Sequence, residues 1–236
     1  MKQPFLFIAL DGLHSREKET LKIAEQLSAV PGPFGFKVNL DYLLNLGVSV
    51  RTSLRWIRRL GRPVFADIKM WNGPGTMESV IGILVEAGVE YTNVYALADN
   101  LLPPALKVAE GTKTKVLGLT VLSHYSEGYC QKHFYRSLAE TVRHFAIVAL
   151  EAGCHGIILP GTALDIVQDL KTIKAVPGIR PIWYKDTRHE EEIQPGEAVK
   201  KDANILVCGS PIMKTPDKVA ALKKVLFEMT RQPIFI

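Results

Sequence analysis

Cysteine is scarce, and its placement points to neither a disulfide framework nor a metal: Cys130, Cys154 and Cys208 form no C-x-x-C pair and leave an odd count. Three such thiols are expected to be small core residues in a reducing compartment. Missing too is any apolar run near the roughly 20 residues that cross a bilayer, and no signal-like segment precedes the first strand-like run. The expectation is a cytoplasmic protein with no membrane partner. No linker interrupts the 236 residues. Charge of one sign is not concentrated either, since 29 Lys and Arg against 24 Asp and Glu leave only +5. The densest basic run, RTSLRWIRRLGR (51–62), has helical spacing and suits a solvated or subunit-facing helix surface better than a nucleic-acid patch. The mild positive balance suits an anionic substrate.

What is present is alternation. LFIALD (6–11), GFKVNL (35–40), PVFADIKM (63–70), YTNVYAL (91–97), KVLGLTVL (115–122), GIILP (156–160), AVPGIRP (175–181) and ILVCGSPI (205–212) have strand character, and each precedes a helix-like or polar stretch. Length alone allows one large α/β domain or two small ones. Eight β-then-α units without a linker favour a single (β/α)8 barrel over residues 1–236. A doubly wound open sheet is the alternative, but the turn after the first strand reads LDGLHS and not G-x-G-x-x-G.

Within FADIKMWNGPGTM (65–77), Asp67 and Lys69 occupy a segment that otherwise has the character of a buried strand. Side chains alternate along a strand, so Phe65, Asp67 and Lys69 share one face and Ala66, Ile68 and Met70 the other. Unpaired buried charges are costly, so the pair needs a reason. In a (β/α)8 barrel the site lies at the C-terminal strand ends. Asp67 and Lys69 end strand three, Asp11 ends strand one, Lys37 lies late in strand two and Ser123 follows strand five. These five polar groups would converge on one mouth. Each could instead merely begin a solvated loop, a weaker account for Asp67 and Lys69 together. The histidines at 124, 133, 144 and 155 share no metal-ligand spacing, and His144 sits on a core-patterned helix.

The D-x-K pair, with ALD at strand one, FKV at strand two, TVLS after strand five, PGIRP at strand seven and VCGSPI at strand eight, resembles the orotidine 5'-phosphate decarboxylase superfamily. The Gln-Pro that follows PGIRP (IQP, 193–195) also fits. The resemblance implies a barrel that dimerises with shared active sites and needs no cofactor or metal. It implies Lys69 as proton donor, Asp67 as its partner, Lys37 between Asp67 and the ribose, Asp11 on a ribose hydroxyl and Ser123 on the pyrimidine amide edge. Pro177 and His189 in the strand-seven region, and Gly209 and Ser210 after strand eight, complete the implied nucleotide or sugar-phosphate contacts. The superfamily's magnesium-dependent members, 3-keto-L-gulonate 6-phosphate decarboxylase and hexulose phosphate synthase, carry a Glu at strand two where this chain has Lys37.

Three departures stand out. The family pattern D-x-K-x-x-D becomes D-I-K-M-W-N, so Asn72 replaces the Asp contributed across the dimer interface, while Thr76 keeps the Thr that reaches the neighbouring ribose. Ser210 stands where V-G-R-P-I has its phosphate-clamping Arg. Backbone N–H groups of Gly209 and Ser210 remain to meet an anion. Arg188 offers a replacement cation, or else a surface partner for Glu190 to Glu192. Tyr95 takes the place of the family's usual His.

Overall fold

A computed structural model describes residues 3–11, 17–45, 47–185 and 192–230. Eight parallel strands close into a barrel in sequence order, as the alternation predicts: β1 (Phe5–Ala9), β2 (Phe34–Asn39), β3 (Val64–Met70), β4 (Tyr91–Tyr95), β5 (Lys115–Leu119), β6 (Gly156–Ile158), β7 (Ile173–Val176) and β8 (Ile205–Cys208). β8 pairs with β1 to complete the ring. The helices are α1 (Glu17–Ser28), α2 (Leu40–Asn45), α3 (Val50–Arg58), α4 (Pro74–Ala87), α5 (Leu102–Lys107), α6 (Glu127–Phe134), α7 (Leu138–Glu151), α8 (Pro195–Lys200), α9 (Ser210–Met213) and α10 (Lys218–Thr230).

The period-two pattern sorts each strand into two cores. Outward residues such as Leu6, Ile8, Phe34, Phe36, Val38, Ala66 and Ile68 pack with the helices. Inward residues form a second cluster of Phe7, Phe65, Leu117, Ile158, Ala175, Ile205 and Val207. Phe7 stands at its centre, edge-on to Phe65 and Tyr91 with ring centroids 5.6 and 5.5 Å away. These aromatics fill the barrel beneath the polar residues of the C-terminal end.

Two segments differ from the sequence-based expectation. The helix-like stretch ALDIVQDLKTI (163–173) after β6 gives only a short 3-10 helix (Gly161–Val167), and β7 begins at its last residue, Ile173. β7 ends at Val176 because Pro177 has no N–H to continue the ladder. The basic run behaves as a helix surface: Ser53, Leu54 and Ile57 of α3 are buried, Arg51 pairs with Glu86 of α4, and Arg58 donates to the Ala87 carbonyl at 3.1 Å. Arg62 donates to the carbonyls of Ser28, Val30 and Gly32, tying the α1–β2 connection to the turn before β3. Cys130, Cys154 and Cys208 are buried free thiols, and burial pushes Cys154 and Cys208 up to about 12. Among the described residues, no helix is long and apolar enough to cross a membrane.

Candidate active site

A cavity of about 540 Å³ opens at the C-terminal end of the barrel. Its lining includes Asp11, Lys37, Asp67, Lys69, Ser123, Pro177, Gly209 and Ser210, so eight of the residues singled out in the sequence meet in one place. Asn72 and Thr76 do not line it. Asn72 is exposed and its Oδ1 accepts from the Gly73 N–H at 2.8 Å, while Thr76 lies exposed in the first turn of α4. Arg188 and His189 lie outside the described residues.

The centre of the site is a chain of alternating charges. Lys37 Nζ, on β2, donates to Asp67 Oδ2 at 2.8 Å, to Asp11 at 3.1 and 3.2 Å, and to Asn39 Oδ1. Its three N–H donors thus have three acceptor side chains. Asp67 Oδ1 in turn accepts from Lys69 Nζ and from Asn93 Nδ2, each at 2.7 Å. The charges of Asp11, Asp67, Lys37 and Lys69 sum to zero, which removes the objection to burying Asp67 and Lys37. Burial pushes the Asp67 carboxyl up, but the attraction of Lys37 and Lys69 with their hydrogen bonds outweighs it and holds the group well below the usual carboxylate range. Burial likewise draws the Lys37 ammonium down, and the fields of Asp67 and Asp11 more than reverse that. Both groups therefore stay charged across the neutral range.

Lys69 reaches Asp67 by a local break in the strand. The β3–β4 register shifts between Ala66 and Met70, and Lys69 has φ +46°, a left-handed conformation uncommon for a residue with a side chain. Asn93 on β4 stabilises this kink from both sides: its Oδ1 accepts from the Lys69 backbone N–H at 2.7 Å while its Nδ2 holds Asp67. Asn93 and Asn39 were not singled out in the sequence. Their signal is present, since each is an amide at an inward strand position, Asn39 two residues after Lys37 and Asn93 two after Tyr91.

Across the cavity, the loop after β7 turns at Gly178 (φ +74°) and is pinned by a parallel bridge between Ile179 and Ile193. This places Arg180 in the lining, buried and paired with Glu192 at 3.5 Å. Gly209 precedes the single turn of α9, and Lys214, directly after it, also faces the cavity. Tyr95, at the end of β4, is half-buried; burial first, then the nearby Asp67 and Tyr129, raise its hydroxyl above the ordinary value. Among the described residues, no group of three or more His, Cys, Asp and Glu side chains could hold a metal ion.

Comparison with known proteins agrees with this architecture. Residues 4–225 match the model of the Orotidine 5'-phosphate decarboxylase / HUMPS family. The chain is 33% identical over 201 residues to an orotidine 5'-phosphate decarboxylase of Methylacidiphilum infernorum (isolate V4), covering 82% of this chain and 85% of that one. It is 29% identical over 200 residues to the enzyme of the same name from Streptococcus pneumoniae (strain Hungary19A-6), covering 83% and 84%. Among solved structures, the orotidine 5'-phosphate decarboxylase of Lactobacillus acidophilus aligns with a TM-score of 0.79 at 23% identity, over 97% of this chain and 99% of that one. An uncharacterized conserved protein from Geobacillus kaustophilus aligns with a TM-score of 0.78 at 18% identity, over 96% and 100%. The two structural likenesses show the barrel fold. With a family match along nearly the whole chain and a relative one-third identical over most of it, the chain belongs to the orotidine 5'-phosphate decarboxylase / HUMPS family.

Proposed function

We propose that the protein decarboxylates orotidine 5'-phosphate to uridine 5'-phosphate without a cofactor, a step of pyrimidine synthesis. The observation that carries this reading is the charge chain Asp11–Lys37–Asp67–Lys69 in the cavity. In the reaction the bond from pyrimidine C6 to its carboxylate breaks heterolytically, carbon dioxide departs, and the electron pair stays on C6. An ammonium held beside that carbon stabilises the developing charge and then protonates it. Lys69 takes this role, being the more exposed of the two lysines, and regains its proton from water. Asp67 holds Lys69 and disfavours a carboxylate placed next to it. Lys37 and Asp11 take the ribose hydroxyls, Ser123 the pyrimidine amide edge, and Pro177, Gly209 and Ser210 the phosphate side.

The working unit in this reading is a homodimer. Leu40, Leu44, Trp71, Leu97 and Leu101 are exposed apolar side chains on the segments following β2, β3 and β4, three neighbouring strands. Such a group at the mouth suits a second copy of the chain. It also suits Asn72 and Thr76 acting at the partner's cavity while absent from their own.

Asn72 and Ser210 favour a second reading, in which the same barrel acts on another sugar phosphate, with or without magnesium. Lys37 weighs against the metal form, because its ammonium already lies between the two carboxylates a divalent ion would take. The test is the fall in absorbance of orotidine 5'-phosphate, with and without magnesium, for wild type, Lys69→Ala and Asn72→Asp. The expected result is metal-independent activity, lost in Lys69→Ala and raised in Asn72→Asp. No turnover in wild type and in Asn72→Asp under both conditions overturns the proposal and turns the search to other sugar phosphates.

A further inference from the structure

The cavity has a charge left over. Lys37 and Lys69 are matched by Asp11 and Asp67, and Arg180 is matched by Glu192. Lys214 is the remaining lysine of the lining, and among the described residues its ammonium has no ion-pair or hydrogen-bond partner. It follows the single turn of α9, four residues after Ser210, and its backbone N–H bonds the Ser210 carbonyl at 2.9 Å. Residues four apart on a helical turn lie on one side of it. Lys214 therefore flanks the cavity wall from which the family's arginine is missing.

We propose that Lys214 is the cation that binds the phosphate of the substrate, taking over from the arginine that Ser210 replaces. This rests on the phosphorylated nucleotide being the ligand and adds what recognises its charged end. A lysine is a compact point charge on a flexible stem, whereas an arginine offers a planar two-pronged donor. The replacement keeps the charge and relinquishes the bidentate geometry. Phosphate sites in barrels of this architecture commonly form from the loops after strands seven and eight, where Gly178, Gly209 and Lys214 meet.

The experiment is titration calorimetry of wild type, Lys214→Ala and the double variant Lys214→Ala/Ser210→Arg with uridine 5'-phosphate, uridine, ribose 5-phosphate and ribose. Wild type should prefer each phosphorylated ligand over its dephosphorylated form by at least about tenfold. Lys214→Ala should lose most of that preference while its affinity for uridine stays unchanged, and adding Ser210→Arg should restore it. Lys214 is exposed, so the variant should fold normally. Unchanged phosphate preference in Lys214→Ala overturns the proposal, as does a wild type that prefers neither phosphorylated ligand over its dephosphorylated form. Preference for ribose 5-phosphate that depends on Lys214, without preference for uridine 5'-phosphate over uridine, keeps the clamp and removes the nucleotide reading.

Discussion

At Lys69 a residue with a side chain is held in left-handed backbone geometry, a conformation costing on the order of 1–2 kcal/mol. Asn93 offsets it with one bond to the Lys69 N–H and orients Asp67 with another. Asn93→Ala should lower kcat by about tenfold to a hundredfold, the scale of an ångström-sized misplacement of catalytic groups, with a smaller change in KM. Steady-state kinetics on the decarboxylation separates the two; an equal rise in KM with kcat intact would make Asn93 a binding residue. Asp67 and Lys69 were legible in the sequence because charges inside an apolar strand demand an explanation. Asn93 was not, because its importance comes from a register shift between β3 and β4 that no local pattern announces. The same carboxylate sets a pH dependence. Its folded-state value lies below the ordinary 3.8, so its stabilisation is present above that value and is lost as pH falls below it. Lys37, shifted upward, loses its contribution only as pH rises above the ordinary 10.5. Thermal melts should show wild type losing stability below about pH 4 more steeply than Asp67→Asn, and equal slopes there would remove Asp67 from the account.

The chain's patterning marks its elements more plainly than their boundaries. The eight strands were visible because their apolar runs recur with helical stretches between them, and the basic face of α3 declared itself by its spacing. The 3-10 turn after β6 is hidden because ALDIVQDLKTI has helical periodicity, yet its last residue, Ile173, is drawn into β7 beside β6. Sheet pairing overrides local preference there. Close packing between helix and barrel also has a residue-level cause. A Cβ built on Gly118 of β5 would lie 2.4 Å from the Cβ of Ala149 on α7. Gly118→Ala should therefore destabilise the fold by about 1–3 kcal/mol, the usual cost of overpacking, measured as a lower denaturation midpoint. An unchanged midpoint would mean that α7 can retreat from the sheet without loss.

At the scale of the whole molecule, the proposed homodimer carries the main expectation. Leu44→Glu with Trp71→Ser should shift sedimentation from dimer to monomer and, because Asn72 and Thr76 serve the neighbouring cavity in the proposed arrangement, should cut activity with it. A fully active monomer would place both residues outside the chemistry. The exposed apolar side chains are visible in the fold, whereas in the sequence the expected dimer rests on the family resemblance. Phe7, Phe65 and Tyr91 fill the barrel below the charged groups, and the cavity opens at the C-terminal end. Under the proposed decarboxylation, carbon dioxide and the nucleotide would both leave through that opening. A nucleotide still seated there would bar the next substrate, so in the proposed reaction the product is expected to compete with substrate for the one cavity.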